Sequence, residues 1–155
     1  MFLPYKPCVG YIGELTKLVE TCVYPRLRSF HKLFFIQDFV HIITLAFYQK
    51  NADLFLRWLL RFMEKINPRL HRKFISYLKV FLGHLYRTQS NHLQFLGFKL
   101  VVKGKISVTG NAKKRTQRIN YGICSLTTKI YKISYARGVV HTRTGVLGLK
   151  CFLFY

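Results

Sequence analysis

Apolar side chains recur at helical spacing through the first half of the chain. Leu33, Phe34, Ile36, Phe39, Val40, Ile43 and Phe47 predict a helix over residues 31–48 that is buried on most sides. Asn51 and Asp53 offer caps for a second helix, with a stripe of Leu54, Phe55, Trp58, Leu59, Phe62 and Ile66. Asn67-Pro68 stops it, because the residue before a proline is driven out of helical geometry. A third helix is expected over residues 69–86, with the stripe Leu70, Phe74, Tyr77, Leu78, Phe81, Leu82 and Leu85.

After Gly97 the period shortens to two. Phe98, Leu100 and Val102 alternate with Lys99 and Lys103, the pattern of a strand with one buried and one basic face. Residues 127–135 alternate again, the Ala136-Arg137-Gly138 triplet reads as a bend or turn, and 139–144 and 146–155 read as further strands. Gly145 and Gly148 suggest close backbone approach in the last hairpin. The pattern predicts an α+β fold, with N-terminal helices packed on a mostly antiparallel C-terminal β-sheet. Three regions follow: an irregular N-terminal extension over 1–30, a helical region over 31–96 and a sheet region over 97–155. A short helix over 14–22 is expected within the first.

Charge changes the picture more than overall composition does. The 155 residues include 26 Lys and Arg against 5 Asp and Glu, a net charge of +21. All five acids, Glu14, Glu20, Asp38, Asp53 and Glu64, precede residue 65. Residues 1–64 carry a net +3, and residues 65–155 carry +18 with no acid at all. So much charge of one sign repels itself and calls for a polyanion, either nucleic acid or an anionic membrane. An ordinary solvated face intersperses both signs. Half the residues are apolar and 16% are aromatic, so the chain has enough material for a packed core and is no disordered basic tail.

A membrane partner is not expected. The most apolar run, residues 34–48, is shorter than the roughly 20 residues a span requires and contains Asp38 and His41. Metal or catalytic chemistry is not expected either. Cys8, Cys22, Cys124 and Cys151 lack the spacing of a zinc site and read as reduced thiols. No acid lies near His84, His92 or His141 in sequence, and the basic half offers no carboxylates for Mg²⁺. These observations predict a non-enzymatic nucleic-acid binder without cofactor.

The C-terminal third carries a family resemblance. Gly97-Phe98-Lys99-Leu100, Lys103-Gly104-Lys105-Ile106 and Gly110-Asn111-Ala112 resemble the start of the C-terminal domain of the S-three family, the third protein of the small ribosomal subunit. His141-Thr142-Arg143-Thr144-Gly145-Val146-Leu147-Gly148-Leu149-Lys150 resembles that family's terminal strand signature. Gly122, Leu126, Thr128, Ile133 and Tyr135 fall at matching places between them. Lys50-Asn51-Ala52-Asp53-Leu54, with Glu64 after it, is similar to the helix that opens the domain, and the helical half resembles mitochondrial members.

Some departures are local, and the largest is at the N-terminal end. Lys113 and Lys114 stand where the family has an acid, Ser134 where it has Asp, and Phe152 where it has Trp. Bacterial members begin with a KH domain, whose Gly-x-x-Gly loop clamps an RNA backbone. Gly10-Tyr11-Ile12-Gly13 has that spacing, but with nine residues before it and no basic pair inside it reads as an ordinary turn. The KH portion is expected to be lost or carried by a separate chain.

The resemblance implies a structural constituent of the mitochondrial small ribosomal subunit, binding small-subunit rRNA in the head beside neighbouring head proteins. It also implies a position near the mRNA entrance, where family members use basic helix residues; Arg69, Arg72, Lys73 and Lys79 match that place. Lys103, Lys105, Lys113, Lys114, Arg115, Arg118, Arg137 and Arg143 are expected to contact RNA from the sheet region and its loops, with Tyr121 available for stacking and Tyr131 for either stacking or core packing. The plain N-terminus, without an amphipathic Arg/Ser pattern, fits synthesis inside the mitochondrion, and the matrix is the expected location. The alternative is a free RNA-binding module or RNA chaperone outside the ribosome.

Overall fold

The computed structural model describes residues 36–106 and 113–155. The expected 14–22 helix, the Gly10–Gly13 turn, Cys8, Cys22 and the Gly110–Ala112 loop lie outside the described residues. Three helices come first: α1 (Ile36–Tyr48), α2 (Ala52–Lys65) and α3 (His71–Leu93), with a 3-10 turn (Pro68–Leu70) between the last two. Four strands follow: β1 (Gly97–Gly104), β2 (Arg115–Gly122), β3 (Ile133–Thr142) and β4 (Gly145–Phe154). They form one antiparallel sheet in the order β2-β1-β4-β3. The arrangement is the predicted α+β.

Local chemistry sets the helix boundaries. The Asn51 side chain accepts a hydrogen bond from the Asp53 amide at 3.0 Å, which satisfies one of the donors left open at a helix start. The Ala52 amide donates to Ser134 Oγ at 3.0 Å and so ties the start of α2 to β3. Asn67 repeats the capping device before Pro68, accepting from the Arg69 amide. The third helix begins at His71, after the 3-10 turn, and runs to Leu93, longer than its apolar stripe suggested.

The helices cover one face of the sheet. Phe98, Leu100 and Val102 of β1, Ile119 of β2, Ala136 and Val140 of β3, and Leu147, Leu149, Cys151 and Leu153 of β4 meet them there. The buried face of α2 is Ala52, Phe55, Leu56, Leu59, Phe62 and Met63. It is rotated from the expected stripe, leaving Leu54 and Trp58 half-buried. Rings pin the layers together. Phe98 lies 5.4 Å from Phe47 and 5.6 Å from Phe55, while Phe39 lies 4.9 Å from Trp58 and 4.8 Å from Phe81. The apolar run tested for a membrane span ends in α1, whose Phe39, Val40, Ile43, Ala46 and Phe47 are buried. No described helix is long and apolar enough to cross a membrane.

Three strand expectations need correction. Residues 127–132 form no strand; they belong to an irregular segment that carries the chain from edge strand β2 to the opposite edge, β3. The Ala136-Arg137-Gly138 triplet does not bend the chain but lies inside β3. Gly138 is small because Leu60 of α2 packs against it. The third correction is at Gly148, where no close backbone approach exists: a Cβ added there would stand 4.0 Å from its nearest neighbour, the Lys103 carbonyl oxygen. Gly145 has φ +131°, a region L side chains rarely adopt, with open space around it. Gly148→Ala is therefore expected to leave stability within about 0.5 kcal/mol of wild type. Gly145→Ala is expected to cost about 1 kcal/mol or more in urea denaturation.

His71 is the one polar or charged residue fully buried among those described. Its Nε2–H donates to the Met63 carbonyl oxygen at 2.9 Å. Burial lowers its pKa from the ordinary 6.5, partly offset by the backbone of Met63 and Ile66. The fold thus prefers the neutral ring, and the unfolded chain binds the proton more readily. Stability from this group is complete above pH 6.5 and falls as pH drops below that value toward the lowered one. His71→Gln, which keeps a neutral donor, is expected to flatten this dependence. The difference in slope between the two proteins, read from thermal or urea unfolding between pH 7.5 and 5.5, should reach at most about 1.4 kcal/mol per pH unit.

Candidate nucleic-acid interface

Strand alternation divides the cations of the sheet between its surfaces. The face turned from the helices carries Lys99 and Lys103 of β1, Arg118 of β2, Arg137 and His141 of β3, and Lys150 of β4. Pairing brings several of these into register. Arg118 lies opposite Val101, Val101 opposite Lys150, and Lys150 opposite Arg137, forming one row across all four strands. Like charges placed directly opposite on neighbouring strands are destabilising by themselves. Here Lys150 and Arg137 are such a pair, and no residue after Glu64 supplies an acid to offset them. Among the described residues the ion pair is Arg57–Asp53, at 2.7 Å on α2, away from the sheet.

A second cluster lies at the end of the sheet where β1 and β3 finish. A cleft of about 540 Å³ is lined there by Lys103, Lys105, Lys114 and Arg115, with Gly104, Thr116, Thr144, Gly145 and Val146. The β3–β4 turn forms part of its wall. Thr142 Oγ1 donates to the Gly145 carbonyl oxygen at 2.7 Å, and the tightened turn leaves Arg143 exposed. On the other side of Thr144, a cleft of about 650 Å³ gathers Lys65, Arg69, His141 and Arg143 beside Glu64.

The structure thus sorts the expected RNA contacts into three places. Lys105, Lys114, Arg115 and Arg143 gather at the sheet end with Arg69, and Lys103 borders both that end and the open face. Lys113 is exposed just before β2. Arg118 and Arg137 lie on the open face, so the basic stretch 113–118, which the sequence offers as a basic loop or strand edge and which enters β2 at Arg115, serves both the sheet end and the open face. Arg72, Lys73 and Lys79 are exposed on α3, in the helical layer on the far side of the sheet.

Tyr121 is a correction. Its hydroxyl donates to the Lys79 carbonyl oxygen at 2.8 Å, and its ring stacks 6.5 Å from Tyr86. It fastens β2 to α3 against Gly83, where a Cβ would stand 2.8 Å from the hydroxyl, and is no free stacking platform. Tyr131 is half-buried in the segment between β2 and β3. Sequence reading named Lys150, Tyr135 and Phe152 for their family likeness but not as RNA contacts; the register brings them beside Lys99 and Arg137. The signal was available in the alternation of β4, where Lys150 and Phe152 share a face.

The remaining chemistry is quiet. Cys124 and Cys151 are free thiols, and burial raises the pKa of each. Cys124 also donates to the carbonyl oxygens of Phe98 and Tyr121. No cluster of metal-ligating side chains occurs among the described residues. His84 is half-buried on α3 and His141 is exposed, while the His92 side chain lies outside the description. No protein-family model and no curated protein matches this chain.

Proposed function

We propose that this chain is a non-catalytic, structural constituent of the mitochondrial small ribosomal subunit, held in its head by rRNA and resembling the C-terminal portion of the S-three family. The observation that carries the reading is the acid-free sheet. Arg118, Lys150 and Arg137 stand in one row, with Lys103, Lys105, Lys114 and Arg115 around the cleft at its end. Such a surface is stable beside a polyanion, and phosphate contacts of this kind position a protein on RNA without reading its sequence. The residue matches to the S-three family supply the rest: the ribosomal setting, the neighbouring head proteins, and mRNA at the entrance reached by Arg69, Arg72, Lys73 and Lys79. The KH portion would be absent or belong to a second chain, and synthesis would occur inside the organelle.

Sedimentation of mitochondrial lysate tests the reading. The chain is expected to migrate with the small subunit and to remain there through a moderate salt wash. Recovery in RNA-bound particles lighter than the subunit would favour a free RNA-binding module instead, and recovery with membranes would refute both.

A further inference from the structure

Beside the basic row on the open sheet face runs a second row of different chemistry. Asn120 of β2 lies opposite Lys99 of β1, Lys99 opposite Phe152 of β4, and Phe152 opposite Tyr135 of β3. The rings of Tyr135 and Phe152 are 4.8 Å apart and tilted by 38°. Lys99 Nζ sits over the Phe152 ring, 5.9 Å from its centre. Tyr135, a large aromatic residue on the edge strand β3, remains 48% exposed. Two residues along the strands, about 7 Å away, is the row of Arg118, Lys150 and Arg137.

At its other side the aromatic row is bounded by chain. The segment leaving β2 crosses above Gly97, where an added Cβ would collide with the Ile123 carbonyl oxygen. Phe154, in that last row, is fully buried. Among the described residues, the open face is therefore roofed at one end and uncovered from the aromatic row onward.

We infer that the Tyr135–Phe152 pair is a stacking platform for unpaired bases of single-stranded RNA, whose phosphates lie along Arg118, Lys150 and Arg137. The inference rests on the RNA-binding reading above and names the form of RNA and the place it occupies. Three features select this occupant. An exposed ring offers a π-face that any base can cover. The adjoining cations match a phosphate backbone, and no acid on this half of the chain meets a basic partner. Asn120, exposed at the end of the row, carries an amide donor and acceptor suited to a base edge. A paired helix hides its bases from such a surface, so duplex RNA would use the cations alone.

The test uses the full chain with a ten-nucleotide uridine oligomer, an abasic oligomer of equal length and charge, and a duplex of similar length. Affinity is read by fluorescence anisotropy over a range of salt. Wild type is expected to prefer the base-bearing oligomer over the abasic one by about 5- to 150-fold. Tyr135→Leu, which keeps apolar area but removes the ring, should lose most of that preference. Its slope of log affinity against log salt should not change, because no phosphate contact is lost. Tyr135→Phe should retain the preference, and duplex affinity should be the same for all three proteins. If Tyr135→Leu keeps the full preference, or duplex affinity falls equally, the platform is refuted while RNA binding stands. If wild type binds none of the three, both readings fall.

Discussion

Replacing Lys103, Lys105, Lys114 and Arg115 together by alanine is expected to make RNA affinity far less sensitive to salt. These side chains line one cleft at the end of the sheet, with no acid among its walls. Each neutralised phosphate contributes roughly 0.7 to 0.9 to the slope of log affinity against log salt, because condensed counterions are released on binding. Losing four such contacts should make the slope shallower by roughly 3. Between 50 and 200 mM salt, wild type would then lose about 50- to 150-fold more affinity than the variant. Titration against a structured RNA at several salt concentrations reads this directly. An unchanged slope would mean that the cleft does not meet the backbone. The four positions lie at strand ends and in a loop outside the apolar core, so the fold is expected to survive, which circular dichroism can confirm.

Phe98→Ala is expected to have the largest effect on stability. Phe98 is almost wholly buried and projects from the sheet between Phe47 of α1 and Phe55 of α2. Truncation removes apolar burial and leaves a cavity that two helices and a sheet cannot easily close. The cost should be about 3 to 5 kcal/mol. A domain's whole stability is about 5 to 15 kcal/mol, so the variant should be marginal at 37 °C. In urea the midpoint should fall sharply with little change in the m-value. A loss below about 1 kcal/mol would contradict the packing described for this ring.

Sequence reading missed the extent of β3 for a physical reason. Residues 127–135 alternate as a strand would, yet only 133–135 join β3; over 127–132 the sheet order obliges the chain to cross from one edge to the other. Alternation reports which residues could share a face, not whether a neighbouring strand is present to pair with them. Gly138 misled in the opposite sense. It reads as a turn signal but is small to admit Leu60 from a helix almost eighty residues earlier.

What the sequence determined by itself is local or additive. The helical and two-residue periods mark α1 to α3 and β1, because burying one face imposes them on consecutive residues. Asn51 announces a helix start through its bond to the amide two residues on, and Asn67-Pro68 announces the end of α2. The absence of acids after Glu64 is a sum, so no fold is needed to read it. Only the tertiary structure decided which cations act together. Arg118, Arg137 and Lys150 are far apart in the chain and become one row through the β2-β1-β4-β3 order. The same pairing sets Tyr135 against Phe152 on the open face, whereas Tyr121 turns inward to the Lys79 carbonyl oxygen. Register between strands is set by long-range burial, and a shift of one residue would send every side chain of a strand to the other face.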